Sequence, residues 1–397
     1  MKKVVWMHTD LRSYWRGRLY FLKKYFEDQE IDFQVIEIFG KGSPYDFDTT
    51  VIHEEWWNCL FPEDDPKMLS NAVIRAKIFS TLDKLQPELL ITGPIVFKSG
   101  ALGLRWAKKR QKKIAFFDDT THSSIKRNFL VSFVKKRFIE QADAYLLPTP
   151  WYDKEYTSLG IDRNRFFYGF NCVDNDFFVK KLEWDEKENW LICVARQVPV
   201  KNLSRLLKAW KLIESKNLGY SLVLVGDGFE NESLLALAKA LHLKDIQFLG
   251  KKNSDEIADL LHKSKAFILP SLSESWGLVI NEAMATSLPI LISKKANAAH
   301  NLVISGENGI HFDPYRVDEI ANAISEFIAL KDVQKIAWGK RSFELISEMN
   351  YNHMGSEVSR CLQTISKLPK VHTNPLAKLA LSFWNGKYET RTWDYMT

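Results

Sequence analysis

Apolar runs of four to seven residues recur along the first part of the chain, each followed by a stretch with helical apolar spacing. KKVVWMH (2–8) reads as a strand, SYWRGRLYFLKKYFEDQ (13–29) as a helix and DFQVIEIF (32–39) as a second strand. After a polar and aromatic stretch come a helix near 67–85, the strand ELLITG (88–93), a short helix around 99–110 and the strand KIAFFDD (113–119). AYLLPTP (144–150) and RFFYGF (165–170) complete this series. Short strands separated by helical patterns predict parallel βαβ units rather than a sandwich.

The alternation then restarts. NWLICVAR (189–196), YSLVLVGDG (220–228), IQFLG (246–250), KAFILPS (265–271) and PILIS (289–293) read as strands, each followed by a helical segment. The charged, loosely patterned VKKLEWDEKEN (179–189) between the two series is the best linker candidate. The expected architecture is α/β: two doubly wound, Rossmann-like domains, 1–178 and 179–349, followed by a helical segment, 350–397. In such folds ligands bind beyond the carboxyl ends of the strands, so two facing halves would make a cleft.

A length of 397 residues exceeds what one hydrophobic core usually fills, which agrees with two domains. The 46% hydrophobic and 26% charged residues are an ordinary globular composition. A net charge of +6 suits an anionic small ligand or an acidic membrane face as well as nucleic acid, but no stacking motif or basic stripe supports the last. Cys59, Cys172, Cys193 and Cys361 lie far apart, so neither a zinc site nor a disulfide framework is expected, and a reducing cytoplasm fits. MKKVVWMHTD is too short an apolar run for a signal peptide, and no stretch approaches a membrane span.

The candidate chemistry gathers at strand ends of the second half. ARQVPVKNLSRLLKAW puts Arg196 after a strand and Lys201 and Asn202 at the start of a helix, an arrangement suited to an anion. Solvated surface cations are the alternative for such a pair. The Gly226-Asp-Gly228 turn is weak evidence by itself. More informative is PSLSESWGLVINEAMATSLPILIS (270–293), where Gly277 would open a helix whose amides approach a phosphate, and Glu274 and Glu282 flank it.

ESWGLVINE fits the E-x7-E pattern of retaining GT-B glycosyltransferases of family 4. ARQVPVKNLSRLLKAW, VLVGDGFENESL, FLGKKNSDEIADLLHKSKAFILPSLSESWGLVINEAMATSLPILIS and SGENGIHFDP resemble that family's segments and occur in its usual order, from about 189 to 314. FYGFNCVDNDFF is similar to the family's Asn-Gly-Val-Asp turn, with Cys172 in place of glycine. The resemblance implies the following roles. Arg196 and Lys201 would neutralise the diphosphate of a UDP- or GDP-linked sugar, joined by the amides around Gly277, Leu278 and Val279 and by the preceding Ser275 and Trp276. Glu282 would hold the ribose, Glu274 would face the donor sugar, and the base would lie near Gly250 and Lys251. The acceptor would be a saccharide or a lipid-linked glycan, and the nucleotide-sugar is a co-substrate rather than a cofactor. No DxD-type run in the cleft-forming loops points to a metal, and cations and helix-end amides aimed at the leaving group can replace one.

The first half departs from the family pattern: the first strand is followed by HTDLRSYWRGRL, with Gly17 as its one glycine. Arg12, Arg16 and Arg18 would meet phosphate or an anionic acceptor if they reach the cleft; otherwise they are surface cations. After the strand FFDD, His122 is a candidate sugar contact, with Asp119 and Thr120 as alternates. SSIKRNFLVSFVKKRFIEQAD (123–143) places basic residues beside phenylalanines, which suits either an anionic membrane surface or packing on the sheet. Trp56 and Trp57 are candidates for the acceptor side. The tail PLAKLALSFWNGKYETRTWDYMT (375–397) carries no interpretable motif. A non-catalytic sugar-binding or scaffold subunit and a nucleotide-sugar epimerase remain alternatives, the second lacking an evident acid/base set.

Overall fold

Among the described residues all paired strands run parallel, in two sheets. The computed structural model describes residues 1–12, 14–41, 52, 54–121, 129–180, 182–216, 218–371 and 375–387. Residues 1–171 and the C-terminal helices make one unit; residues 172–350 make the other.

The first unit contains β1 (Lys3–His8), α1 (Tyr14–Glu27), β2 (Asp32–Phe39), β3 (Trp57–Phe61), α2 (Asn71–Leu85), β4 (Leu89–Thr92), α3 (Lys98–Arg110), β5 (Lys113–Phe117), α4 (Phe129–Ile139), β6 (Ala144–Leu146), α5 (Asp153–Thr157) and β7 (Phe166–Phe167). Its sheet order is β3-β2-β1-β4-β5-β6-β7. Val4, Val5, Trp6 and Met7 of β1 are all fully buried, as expected of a central strand with helices on both faces. The sequence pattern did not show β3. Its Asn58 is exposed and Cys59 half-buried, so an edge strand carries a broken apolar run. Trp57 therefore belongs to the core, with its Nε1–H donating to Glu37 Oε2 at 3.2 Å, and does not offer the face expected on the acceptor side.

The second unit contains β8 (Trp190–Val194), α6 (Leu203–Glu214), β9 (Ser221–Val225), α7 (Asn231–Ala240), β10 (Ile246–Phe248), α8 (Ser254–Lys263), β11 (Ala266–Leu269), α9 (Leu278–Ala285), β12 (Ile290–Ser293), α10 (Ala299–Leu302), β13 (Gly309–Phe312), α11 (Val317–Ala329) and α12 (Asp332–Ser347). Its order is β10-β9-β8-β11-β12-β13. The stretch 179–189 packs on this unit: Lys180 pairs with Asp259 at 2.8 Å and Lys187 donates to His262 O at 2.6 Å. The changeover between units falls earlier, at Asn171 and Cys172.

The chain then returns to the first unit as α13 (Tyr351–Lys367) and α14 (Pro375–Phe383). α13 packs on α1 and β7, and its Glu357 accepts from the Tyr168 N–H at 2.9 Å. α14 packs on α3 and α4. In each sheet the strand order reverses beside the first strand of the unit, between β1 and β4 and between β8 and β11. Loops leaving two such neighbours go to opposite faces and open a crevice at their carboxyl ends.

Candidate functional site

Both loops at the reversal point of the second unit carry sequence-predicted residues. After β8 the chain passes Arg196 and makes a single helical turn, Pro199–Lys201; after β11 it runs from Pro270 to Gly277. Asn202 ties these loops together from a left-handed backbone (φ 60°). Its amide donates to Pro270 O at 3.0 Å and to Pro314 O at 2.8 Å, while its Oδ1 accepts from Arg205 at 2.9 Å. The Leu272 N–H adds a bond to Val200 O at 2.8 Å. Lys201 is thereby presented from a braced turn. The sequence placed Asn202 at a helix start but gave no sign of this bracing.

Lys201 Nζ donates to Glu274 Oε2, and the Ser271 hydroxyl donates to the same oxygen at 3.3 Å. The two charged side chains are 15% and 17% exposed, enough for a ligand to reach them and little enough to limit screening by water. Main-chain bonds from the Glu274 N–H to Lys295 O (3.3 Å) and from the Asn297 N–H to Glu274 O (3.1 Å) fix the glutamate against the loop after β12.

Three residues on, Gly277 caps α9 with φ +94°. A Cβ there would lie 2.9 Å from Ile280 Cδ1 and 3.1 Å from Glu274 Cγ, so glycine is required by both backbone and space. The turn starts α9 beside the Glu274 side chain, and the first N–H groups of a helix have no partner within it. Ser275, Leu278 and Val279 are half-buried there. Trp276 is buried, its indole donating to Asn281 Oδ1 at 2.9 Å, so a contribution from residue 276 to a ligand comes through its backbone. Glu282 is 6% exposed, so it faces the interior of the unit rather than solvent.

The Gly-Asp-Gly turn, weak as a sequence signal, buttresses Arg196. A Cβ at Gly226 would stand 2.0 Å from Ala195 O, and one at Gly228 would stand 2.4 Å from Gln197 O. Gln197, 1% exposed, donates to Gly226 O at 3.0 Å and accepts from Asn231 at 2.8 Å. Arg196, half-buried, sits between these two anchored neighbours. The Gly226 N–H also donates to Gly250 O at 2.8 Å, which brings the exposed Lys251 to the next loop along the same edge. Gln197 was not singled out from sequence; its one local signal was a polar residue directly following a strand-end arginine.

In the first unit, Asp119 follows β5 and is half-buried. Its Oδ2 accepts from Asn171 at 3.2 Å and its main-chain oxygen from the Tyr152 hydroxyl at 3.0 Å. Burial, reinforced by the neighbouring Asp118 carboxylate, pushes its pKa up to about 6. Thr120 turns back on Asp118, its hydroxyl 2.6 Å from Oδ1. His122 lies outside the described residues, as does the 123–128 part of the basic aromatic segment. Arg12 and Arg18 are buried rather than surface cations. Arg12 Nε lies 3.4 Å from Asp10 Oδ1, and the Arg18 guanidinium lies 5.0 Å from the Trp15 ring centre. At the β1–β4 reversal, His8 Nδ1 is 3.0 Å from Ser99 Oγ and the ring is enclosed by Trp15, Phe97 and Phe117, so burial holds its pKa down at about 3. It is a neutral imidazole that the strand pattern absorbed without comment.

Residues 174–341 match the family described as Glycosyl transferases group 1, a span that contains every candidate of the second unit. The chain is 36% identical over 149 residues to N-acetyl-alpha-D-glucosaminyl L-malate synthase of Bacillus anthracis, covering 35% of this chain and 38% of that one. It is 27% identical over 227 residues to the GDP-mannose-dependent alpha-(1-6)-phosphatidylinositol monomannoside mannosyltransferase of Mycobacterium tuberculosis, 55% of this chain and 56% of that one. These alignments span less than two thirds of either relative. Sucrose-phosphate synthase from Thermosynechococcus elongatus superposes with a TM-score of 0.72 at 18% identity, over 92% of this chain and 99% of that one. Anabaena HepE in complex with UDP gives 0.71 at 17% identity, over 91% and 100%. The chain has a GT-B fold. Its second sheet and the family match together support a GT-B glycosyltransferase.

Proposed function

We propose that the second unit binds the diphosphate of a nucleotide-sugar and that the chain transfers the hexose, with retention of configuration, to a saccharide or lipid-linked acceptor. The observation that carries this reading is the Lys201–Glu274 pair at the β8–β11 reversal, abutting the glycine-led start of α9. In the proposal, Arg196, Lys201, Lys251 and the amides from Ser275 to Val279 meet the phosphates and base, Glu282 holds the ribose, and Glu274 faces the sugar. As the anomeric carbon–oxygen bond breaks, the electron pair stays on the leaving diphosphate. The acceptor oxygen bonds to the same carbon and its proton passes to that phosphate. Fixed positive charge aimed at the leaving group lowers this barrier most directly, so the reading assigns no metal ligand.

Support for a UDP- or GDP-linked donor comes from the proteins this chain is similar to: HepE was solved with UDP, and the mycobacterial relative is GDP-mannose-dependent. The same comparison supports a polysaccharide or glycolipid product, with O-antigen chain mannosyltransferase RfbU of Salmonella typhimurium as a further relative. The proposed location is cytoplasmic, where such donors are found. Among the described residues no helix is long and apolar enough to cross a membrane.

Donor turnover tests the proposal. The protein should slowly release nucleoside diphosphate from one UDP- or GDP-sugar, and Glu274→Gln should abolish release while leaving nucleotide binding in place. Release from no donor, or equal release by the variant, would overturn it.

A further inference from the structure

Three helices on one side of the first unit carry only positive charge. α3 holds Lys98, Arg105, Lys108, Lys109 and Arg110, α4 holds Lys135, Lys136 and Arg137, and α14 holds Lys378, with no Asp or Glu in any of them. The helices are neighbours, because α14 packs on both others. Carboxylates from outside offset part of this charge: Glu140 meets Lys136 and Arg137, and Asp83 meets Arg110. Lys98 is buried and donates to Asn71, so the surface charge of α3 comes from exposed Lys109 and Arg110 and from half-buried Arg105 and Lys108, which bond to the Ser382 and Val371 carbonyls and keep their charge.

Apolar side chains stand in the middle of this field. On α14, Ala377 and Leu381 are buried, whereas Leu379 and Phe383 are 61% and 77% exposed. Successive residues turn by about 100° on a helix, so the two pairs occupy opposite faces, each pair one turn apart. The outer pair is flanked by exposed Lys378 and Lys387. On α4, Phe133 is 41% exposed, with the Arg137 guanidinium 5.0 Å from its ring centre.

We propose that the outer face of α14, with neighbouring α4, docks on an anionic lipid bilayer. Leu379 and Phe383 enter the headgroup–acyl boundary, Phe133 contributes from α4, and the surrounding lysines and arginines meet lipid phosphates. Exposed aliphatic side chains inside the basic field favour a bilayer over a nucleic acid, which rewards aromatic stacking and phosphate contacts but gains nothing from a leucine. The surface is read from charge and exposure alone, so the donor reading can fail without affecting it.

The test is flotation of the full chain with phosphatidylcholine vesicles prepared with or without phosphatidylglycerol, in the absence of any nucleotide-sugar. The protein should float only with phosphatidylglycerol present, and less so as salt rises. Leu379→Ser/Phe383→Ser should cut the bound fraction about fivefold or more, and Lys135→Gln/Lys378→Gln should do likewise. Val333→Ser, at an exposed apolar position of α12, should leave it unchanged. Melting temperatures of all variants should stay near the wild-type value. Absent or lipid-independent flotation of the wild type overturns the proposal. So does full binding by the Leu379/Phe383 variant, which would leave a general polyanion patch, or a drop of several degrees in its melting temperature without loss of flotation, which would make the pair part of the core.

Discussion

Lys201 and Glu274 are 73 positions apart in sequence, yet the lysine ammonium donates to the glutamate carboxylate where the loops after β8 and β11 meet. Each arrives on its own braced turn, through Asn202 in one case and the Lys295 and Asn297 backbone in the other. In the free protein the two charges compensate each other in a partly buried setting. A bound diphosphate would give Lys201 a second anionic neighbour and leave Glu274 beside the sugar.

The pair should behave as a unit. Lys201→Met and Glu274→Gln should each destabilise the protein by about 1–2 kcal/mol, because each strands a partly buried charge. The double variant should be less destabilised than the sum, by about 1 kcal/mol. Urea unfolding of all four proteins checks this, and strict additivity would mean that the contact contributes nothing.

Gly277→Ala should cost about 1–3 kcal/mol from positive φ and crowding. It should also weaken nucleotide binding beyond what the lost stability explains, since the first turn of α9 would have to shift away from Glu274 Cγ. A variant of unchanged affinity would remove the α9 start from the phosphate site.

Gly226→Ala places a methyl group against the Ala195 carbonyl. A main-chain oxygen cannot turn aside as a side chain does, so the Gly226 loop must move and carry Gln197 with it. We expect a loss of about 2 kcal/mol or more and, because Arg196 lies between Ala195 and Gln197, weaker binding of nucleoside diphosphate. Thermal melting with and without nucleotide reads both effects.

Asp119 predicts an unusual pH response. Its pKa is raised from 3.8 to about 6 in the folded protein, so its contribution to stability is fully present below about pH 3.8 and is lost as pH rises through 6. Asp119→Asn should therefore be more stable than the wild type at pH 8, by about 1 kcal/mol once solvent screening of a half-buried group is allowed for, and no more stable at pH 4. Urea unfolding at the two pH values checks this; an equal difference at both would show that the carboxylate does not titrate in that window.

What the sequence made legible was whatever repeats locally. Central strands such as β1 and β8 stand out because both of their faces are buried, and ESWGLVINE stands out because its glycine and both glutamates fall within one short segment of sequence, the loop before α9 and the start of that helix. What stayed hidden depends on partners far along the chain. Asn202 reads as an ordinary helix start, yet its amide reaches Pro270 and Pro314. The 179–189 stretch looks solvated until Lys180 and Lys187 find α8. Edge strands β3 and β13 are short and interrupted by polar residues or glycine, so their periodicity is too weak to see. Arg18 was within local reach: its guanidinium lies over Trp15, one helical turn earlier.

The most direct test of the donor site is calorimetric titration of the wild type and of Arg196→Ala/Lys201→Met with UDP, GDP, ADP and CMP, each variant first shown to be folded. The account predicts that one nucleoside diphosphate binds the wild type and that the double variant binds it at least about a hundredfold more weakly, since two charge-assisted contacts are lost at about 1.5 kcal/mol or more each. Equal affinity in the two proteins, or no binding of any nucleotide to the wild type, would contradict it.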